Sequence, residues 1–97
     1  MERNKYDILI VINGRRFSRL IIDQQYREKH KTINDSLIIQ LVGQLHGGSF
    51  EANRISKDGF EYYSKDKMEL DSRLYKLVWT LRAQHNFVGI INCYRRK

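Results

Sequence analysis

The sequence predicts an α+β domain, two helices packed on one face of a twisted antiparallel sheet, in the order β-β-α-α-β-β-β-β. Three observations carry this. Asn13-Gly14 divides the β-rich runs "DILIVI" and "RRFSRLII". Leu37, Ile38, Leu41, Val42 and Leu45 recur at helical spacing. "RLYKLVWTLR" and "NFVGIINCYRRK" alternate apolar with polar residues, as half-buried antiparallel strands do. Ninety-seven residues, 41% of them apolar, suffice for one domain spanning 1–97 with a single modest core.

The first two strands join through Asn13-Gly14, which tolerates the positive φ that a type I′ turn needs at both central positions. A two-residue loop pairs Ile12 with Arg15 and Ile10 with Phe17. Ile8, Ile10, Ile12, Phe17 and Ile21 then share a face. Asp23 can cap a short helix reaching about Lys31, although an irregular loop fits this stretch too. The second helix starts near Thr32 to Asp35, in a variant capping box with Asp for Glu, and stops at Gly47-Gly48. Gly43 weakens its interior by about 1 kcal/mol relative to Ala. Asp58-Gly59 is a second hairpin turn inside "SFEANRISKDGFEYYSKD". Ala83 to Asn86 form the loop of a third hairpin, which sets Trp79 opposite Ile90, Leu81 opposite Val88 and Tyr75 opposite Tyr94.

Charge is unevenly spread in a chain of net charge +7. Residues 1–31 carry eight Lys/Arg against four Asp/Glu, residues 32–72 four against seven, and residues 73–97 six against none. If the two basic ends meet in space they form one positive face, which attracts polyanions such as nucleic acid. A solvated basic surface is the plainer explanation of the same pattern. No run of eighteen apolar residues suggests a membrane span, and no apolar signal core follows the N-terminus, so the expected compartment is the cytoplasm. One cysteine, Cys93, makes neither an internal disulfide nor a zinc site by itself, and no metal or other cofactor is expected.

Phosphate-loop, CxxC, His-x-x-x-His and nucleophile-elbow patterns are all missing. Two clusters remain as candidates. Arg27, Lys29, His30 and Lys31 fall within five residues. Like charge disfavours protonation of His30, so a neutral imidazole could take a proton while Lys29 and its neighbours hold phosphate. The same cations would equally satisfy a helix C-terminus. Tyr94, Arg95 and Arg96 end the last strand, where arginine suits bidentate phosphate contacts and tyrosine can stack on a base or move a proton. Arg54 and Arg82 are further candidate nucleic-acid contacts. His46 reads as a helix C-terminal residue and His85 as a loop residue. The aromatic strand "GFEYY", with Tyr62 and Tyr63, could serve instead as an edge for an added partner strand.

The basic His segment before "TINDSLIIQLVGQL" and the closing "GIINCYRR" resemble the small RelE-like toxins, nearest to BrnT-like ones, over about residues 23–96. The N-terminal hairpin departs from a minimal version of that fold. The resemblance implies a metal-independent endoribonuclease of a toxin–antitoxin pair, acting on messenger RNA, often on the ribosome, with a small acidic antitoxin as partner. Attack of a ribose 2′-OH on the adjacent phosphate would then use Lys29, His30, Tyr94 and Arg95 as the catalytic set. Arg27, Lys31, Arg54, Arg82 and Arg96 would bind RNA. A binder of nucleic acid or of the ribosome without catalysis, or a protein-interaction module, fits the same residues.

Overall fold

A computed structural model describes residues 3–23 and 33–97. Strands β1 (Arg3–Ile12), β2 (Arg15–Asp23), β3 (Arg54–Ile55), β4 (Phe60–Leu70), β5 (Arg73–Arg82) and β6 (Phe87–Arg96) form one sheet, and helix α1 spans Asp35–Gly43. The sheet order is β1-β2-β6-β5-β4-β3. Six strands are present, but the described order is β-β-α-β-β-β-β rather than β-β-α-α-β-β-β-β, and the fold class differs from the sequence reading. The described residues contain one helix rather than two. The expected first helix, beyond Asp23, lies outside the described residues. The sheet is mixed rather than antiparallel, because β6 runs parallel to β2, with Leu20 opposite Val88 and Ile22 opposite Ile90. Those four residues are buried, so the pairing joins the inner face of the first hairpin to that of the last.

Asn13 and Gly14 both take positive φ, 55° and 73°, and Ile12 faces Arg15 while Ile10 faces Phe17, as the turn chemistry predicts. Beyond that point the expected alternation breaks. The N–H groups of Ser18 and Arg19 both donate to the Asn86 carbonyl, at 2.9 and 3.1 Å, which marks a bulge in β2. Leu20 and Ile22 therefore join Phe17 on the inner face, and Ile21 turns outward instead of sharing it. Two further bulges do the same work. An extra residue between Lys65 and Met68 lets Tyr63 and Met68, five apart, both face inward. In β6 the register slips by one opposite Val78/Trp79, so Trp79 faces Ile90 as expected, but Tyr75 faces Arg95 rather than Tyr94. A two-residue turn at Asp71-Ser72, both at positive φ, joins β4 to β5 without the glycine that would have announced it.

Helix α1 buries Ile38, Leu41 and Val42 on the inner face, and Leu45 follows them into the core just past its end. Its cap is Asn34, whose side chain accepts from the Leu37 N–H at 2.8 Å. Asp35 is not the far half of a capping box. It is buried and accepts from Asn4 Nδ2 at 2.7 Å and from the Tyr6 hydroxyl, which ties the helix start to β1. Gly43 is the last helical residue, so the interior penalty does not apply. At the centre of the core Trp79 stacks on Tyr63, with centroids 5.4 Å apart, and meets Phe50 edge-on at 5.2 Å.

A polar clamp closes one end of this core. Arg15 makes a bidentate pair with Glu61, at 2.6 and 3.2 Å, although two strands, β6 and β5, lie between theirs in the sheet order. The Tyr63 hydroxyl donates to the same carboxylate and accepts from Asn13 Nδ2 at 3.1 Å. Asn13 Oδ1 in turn accepts from the Phe50 N–H at 2.6 Å. The tip of the first hairpin thus curls over the core to reach β4. Hydrogen bonding to Arg15 holds the Glu61 carboxyl below its ordinary value, against the opposing effect of burial.

Two stability predictions follow from the clamp. Replacing Asn13 by Ala loses its side-chain hydrogen bonds and strains a left-handed residue, and should cost about 2–4 kcal/mol in urea unfolding. Asn13→Gly keeps the backbone freedom and should cost about half as much. A lowered carboxylate pKa stabilises above its unfolded value and loses that contribution as pH falls. The Arg15–Glu61 pair should therefore contribute fully above pH 4.5 and progressively less below it. Glu61→Gln should lower stability near neutral pH by about 1 kcal/mol and make the acid limb of the Tm-versus-pH curve shallower.

Candidate nucleic-acid interface

The side chains that alternate with the core residues form the outer face of the sheet, and no described residue packs over its centre. One rung crosses all six strands there. Lys5 of β1 faces Ile21 of β2, which faces Gly89 of β6. Gly89 faces Thr80 of β5, which faces Tyr62 of β4, which faces Arg54 of β3. Strand spacing sets the two cations at its ends about 24 Å apart along the sheet. A second row, nearer the β5–β6 loop, places Arg19 opposite Phe87 and Arg82 opposite Phe60.

The rung is low in the middle and high at its sides. Gly89 and Thr80 are buried, whereas Tyr62 and Ile21 are half-buried and Lys5 and Arg54 are exposed. Above them lies an open cavity of about 210 Å³, walled by Tyr62, Phe60, Phe87, Ile21 and Ile91. Ile91 stands at the register slip in β6, which leaves it half-exposed over the outer face. Arginines lie over the rings at the rim: Arg54 is 4.2 Å from the Tyr62 centroid and Arg82 5.1 Å from that of Phe60. His85 adds a ring between Phe60 and Phe87, at 6.3 and 5.4 Å.

Of the residues singled out in the sequence, Arg54 and Arg82 belong to this face. Tyr94 faces Lys76 on the same side, further along the strand, with Arg96 at 5.9 Å from its ring. Arg96 also pairs with Asp66 at 3.0 Å. Arg95 sits opposite the buried Tyr75 and so departs on the other face. Arg27, Lys29, His30 and Lys31 lie outside the described residues. The two basic ends of the chain do join one sheet, through Arg19 beside Phe87, yet Arg15 is committed to Glu61 on the inner side. The strand edge expected at Tyr62 is occupied, because β3 pairs with it. His46 follows α1 and accepts from the Val11 N–H through Nδ1, at 3.1 Å.

Sequence reading missed Lys5, Arg19, Phe60, Phe87 and the Gly89–Thr80 floor. For all but Arg19 the signal was parity, since each alternates with a residue whose burial the apolar pattern announces; Arg19 reaches this face only because the alternation breaks at Ser18/Arg19. No His, Cys, Asp and Glu group among the described residues is placed to hold a metal ion. No helix among them is long and apolar enough to cross a membrane.

Comparison with protein-family models, curated proteins and solved structures finds no match. The reading of this face therefore stands on its own chemistry.

That chemistry predicts arginines whose role is not in folding. Arg54→Ala and Arg82→Ala should each change unfolding free energy by no more than about 0.5–1 kcal/mol, the range of an exposed cation–π contact, as measured by thermal melts.

Proposed function

We propose that the protein binds single-stranded RNA across the outer face of its sheet. The observation that carries this reading is the rung from Lys5 to Arg54, in which rings and an apolar floor lie between cations on a face that no described element covers. Rings stack on bases of any sequence, and arginines take the phosphates on either side. Unpaired bases offer the free π-faces that such a platform needs, and a duplex does not, so single strands fit best. The basic ends of a chain of net charge +7 add long-range attraction.

Filter binding at several salt concentrations tests this. With Lys5, Arg19, Arg54 and Arg82 each on one phosphate, log K should fall against log salt with a slope of about −3. The Arg54→Ala/Arg82→Ala double variant should flatten that slope by about 1.4. Tyr62→Ala should weaken binding roughly tenfold and leave the slope unchanged. A salt-independent signal, or none at low salt, defeats the proposal, and a parallel titration with single-stranded DNA measures how far the site prefers RNA.

The ribonuclease reading draws on one further observation, Tyr94 on this face beside Arg96 and Lys76. On that reading, metal-free cleavage by 2′-OH attack would appear on a denaturing gel of the same mixtures, and a small acidic antitoxin would suppress it in the cytoplasm. Tyr94→Phe would then reduce cleavage by about 10²-fold or more. RNA that is bound but stays intact leaves binding as the activity.

A further inference from the structure

We infer that the cavity over Gly89 takes one unstacked nucleobase, while the sugar–phosphate chain continues along the arginine rim. This rests on the RNA-binding reading and goes beyond it by assigning the base its own subsite. The cavity measures about 210 Å³ and is open to solvent on one side. Its depth comes from the floor. Gly89 contributes no side chain, and a Cβ there would lie 2.9 Å from Thr80 Cγ2, closer than real Cβ contacts allow. Thr80 turns its hydroxyl away, since Oγ1 donates to the Glu61 carbonyl at 2.8 Å. What remains to line the floor is apolar.

The walls suit a flat heterocycle. Tyr62 and Phe60 rise from β4, Phe87 and Ile91 from β6, and Ile21 from β2. Two of these reach the cavity because of bulges. The bulge at Ser18/Arg19 turns Ile21 outward, and the register slip in β6 lifts Ile91. A flat apolar ring matches such a lining better than a phosphate, because eight of its ten residues are apolar side chains, Gly89 or Thr80 with its hydroxyl turned away, and its one cation, Arg3, sits beside the carboxylate of Asp23. The polar end of the cavity holds Arg3 and Asp23, cross-strand partners on β1 and β2. The Arg3 guanidinium at that end can donate to an acceptor on a base edge.

The experiment uses a short oligonucleotide with a single fluorescent 2-aminopurine, whose emission is quenched when its ring stacks. The wild-type protein should quench it on binding. Ile91→Trp fills the mouth of the cavity from a half-exposed position; it should abolish the quench and lower affinity roughly tenfold, about the value of one stacked base. Tyr62→Leu keeps an apolar wall without the ring and should give the same loss, so the pair decides the matter even if one variant melts early. Salt-dependent binding without quenching, or quenching that survives both substitutions, overturns the base subsite and leaves the RNA reading in place. No oligonucleotide binding at low salt overturns both.

Discussion

The parallel pairing of β2 with β6 is the contact on which the rest of the molecule depends. Only four residue pairs make it, Arg19–Phe87 through Ile22–Ile90, yet it joins a hairpin from one end of the chain to a hairpin from the other. On the inner face it brings Leu20 and Ile22 beside Val88 and Ile90. On the outer face it brings Ile21 beside Gly89 and Arg19 beside Phe87. Without it the apolar faces of the two hairpins would have no shared core, and the rung from Lys5 to Arg54 would be two unrelated halves. A long-range parallel pairing carries a high loop-closure cost, which makes it a slow step in folding.

Two polar ties steady that arrangement. Asp35 fastens the start of α1 to Asn4 and Tyr6 of the outermost strand. The Arg15–Glu61–Tyr63–Asn13 clamp fastens the hairpin tip to β4 across the open side of the core. Both are only partly exposed, and each partner is hydrogen-bonded, so the charges do not stand uncompensated. A sheet held at both ends can keep its outer face free of covering elements, and no described element covers it here. That is the condition under which rings such as Tyr62 and Phe87 remain available to a ligand.

The bulges connect stability to the candidate site. Phe17 and Leu20, Tyr63 and Met68, and Ile90 and Cys93 are spaced by odd numbers of residues, and a regular strand would send one of each pair to solvent. Each slip restores both to the core, at the cost of an irregular ladder. The displaced residues have to go somewhere. In β2 and β6 they go to the outer face, where Ile21 and Ile91 become walls of the cavity over Gly89. The demands of the core therefore shape the candidate binding surface.

Local chemistry was legible in the sequence wherever neighbouring residues decide it. Asn13-Gly14 gave its turn and the pairing nearest to it, the 3.6-residue stripe gave α1, and alternation in β5 separated Trp79 from Thr80 and Arg82. The pairing of Trp79 with Ile90 followed from a four-residue loop and survived. The prediction failed where distant strands decide. Nothing local in "RLIID" or "FVGII" states that they lie side by side and parallel, so a mixed sheet read as an antiparallel one. Tyr75 lost its expected partner because a slip several residues away moved the register. Arg54 and Arg82 could be named from type alone, but Arg19, Phe87 and the Gly89–Thr80 floor became a site only when β6 took its place between β2 and β5. Side-chain parity is a property of a strand and can be read from it. Which strands become neighbours is settled by the burial of the whole core, and that exists only in the folded chain.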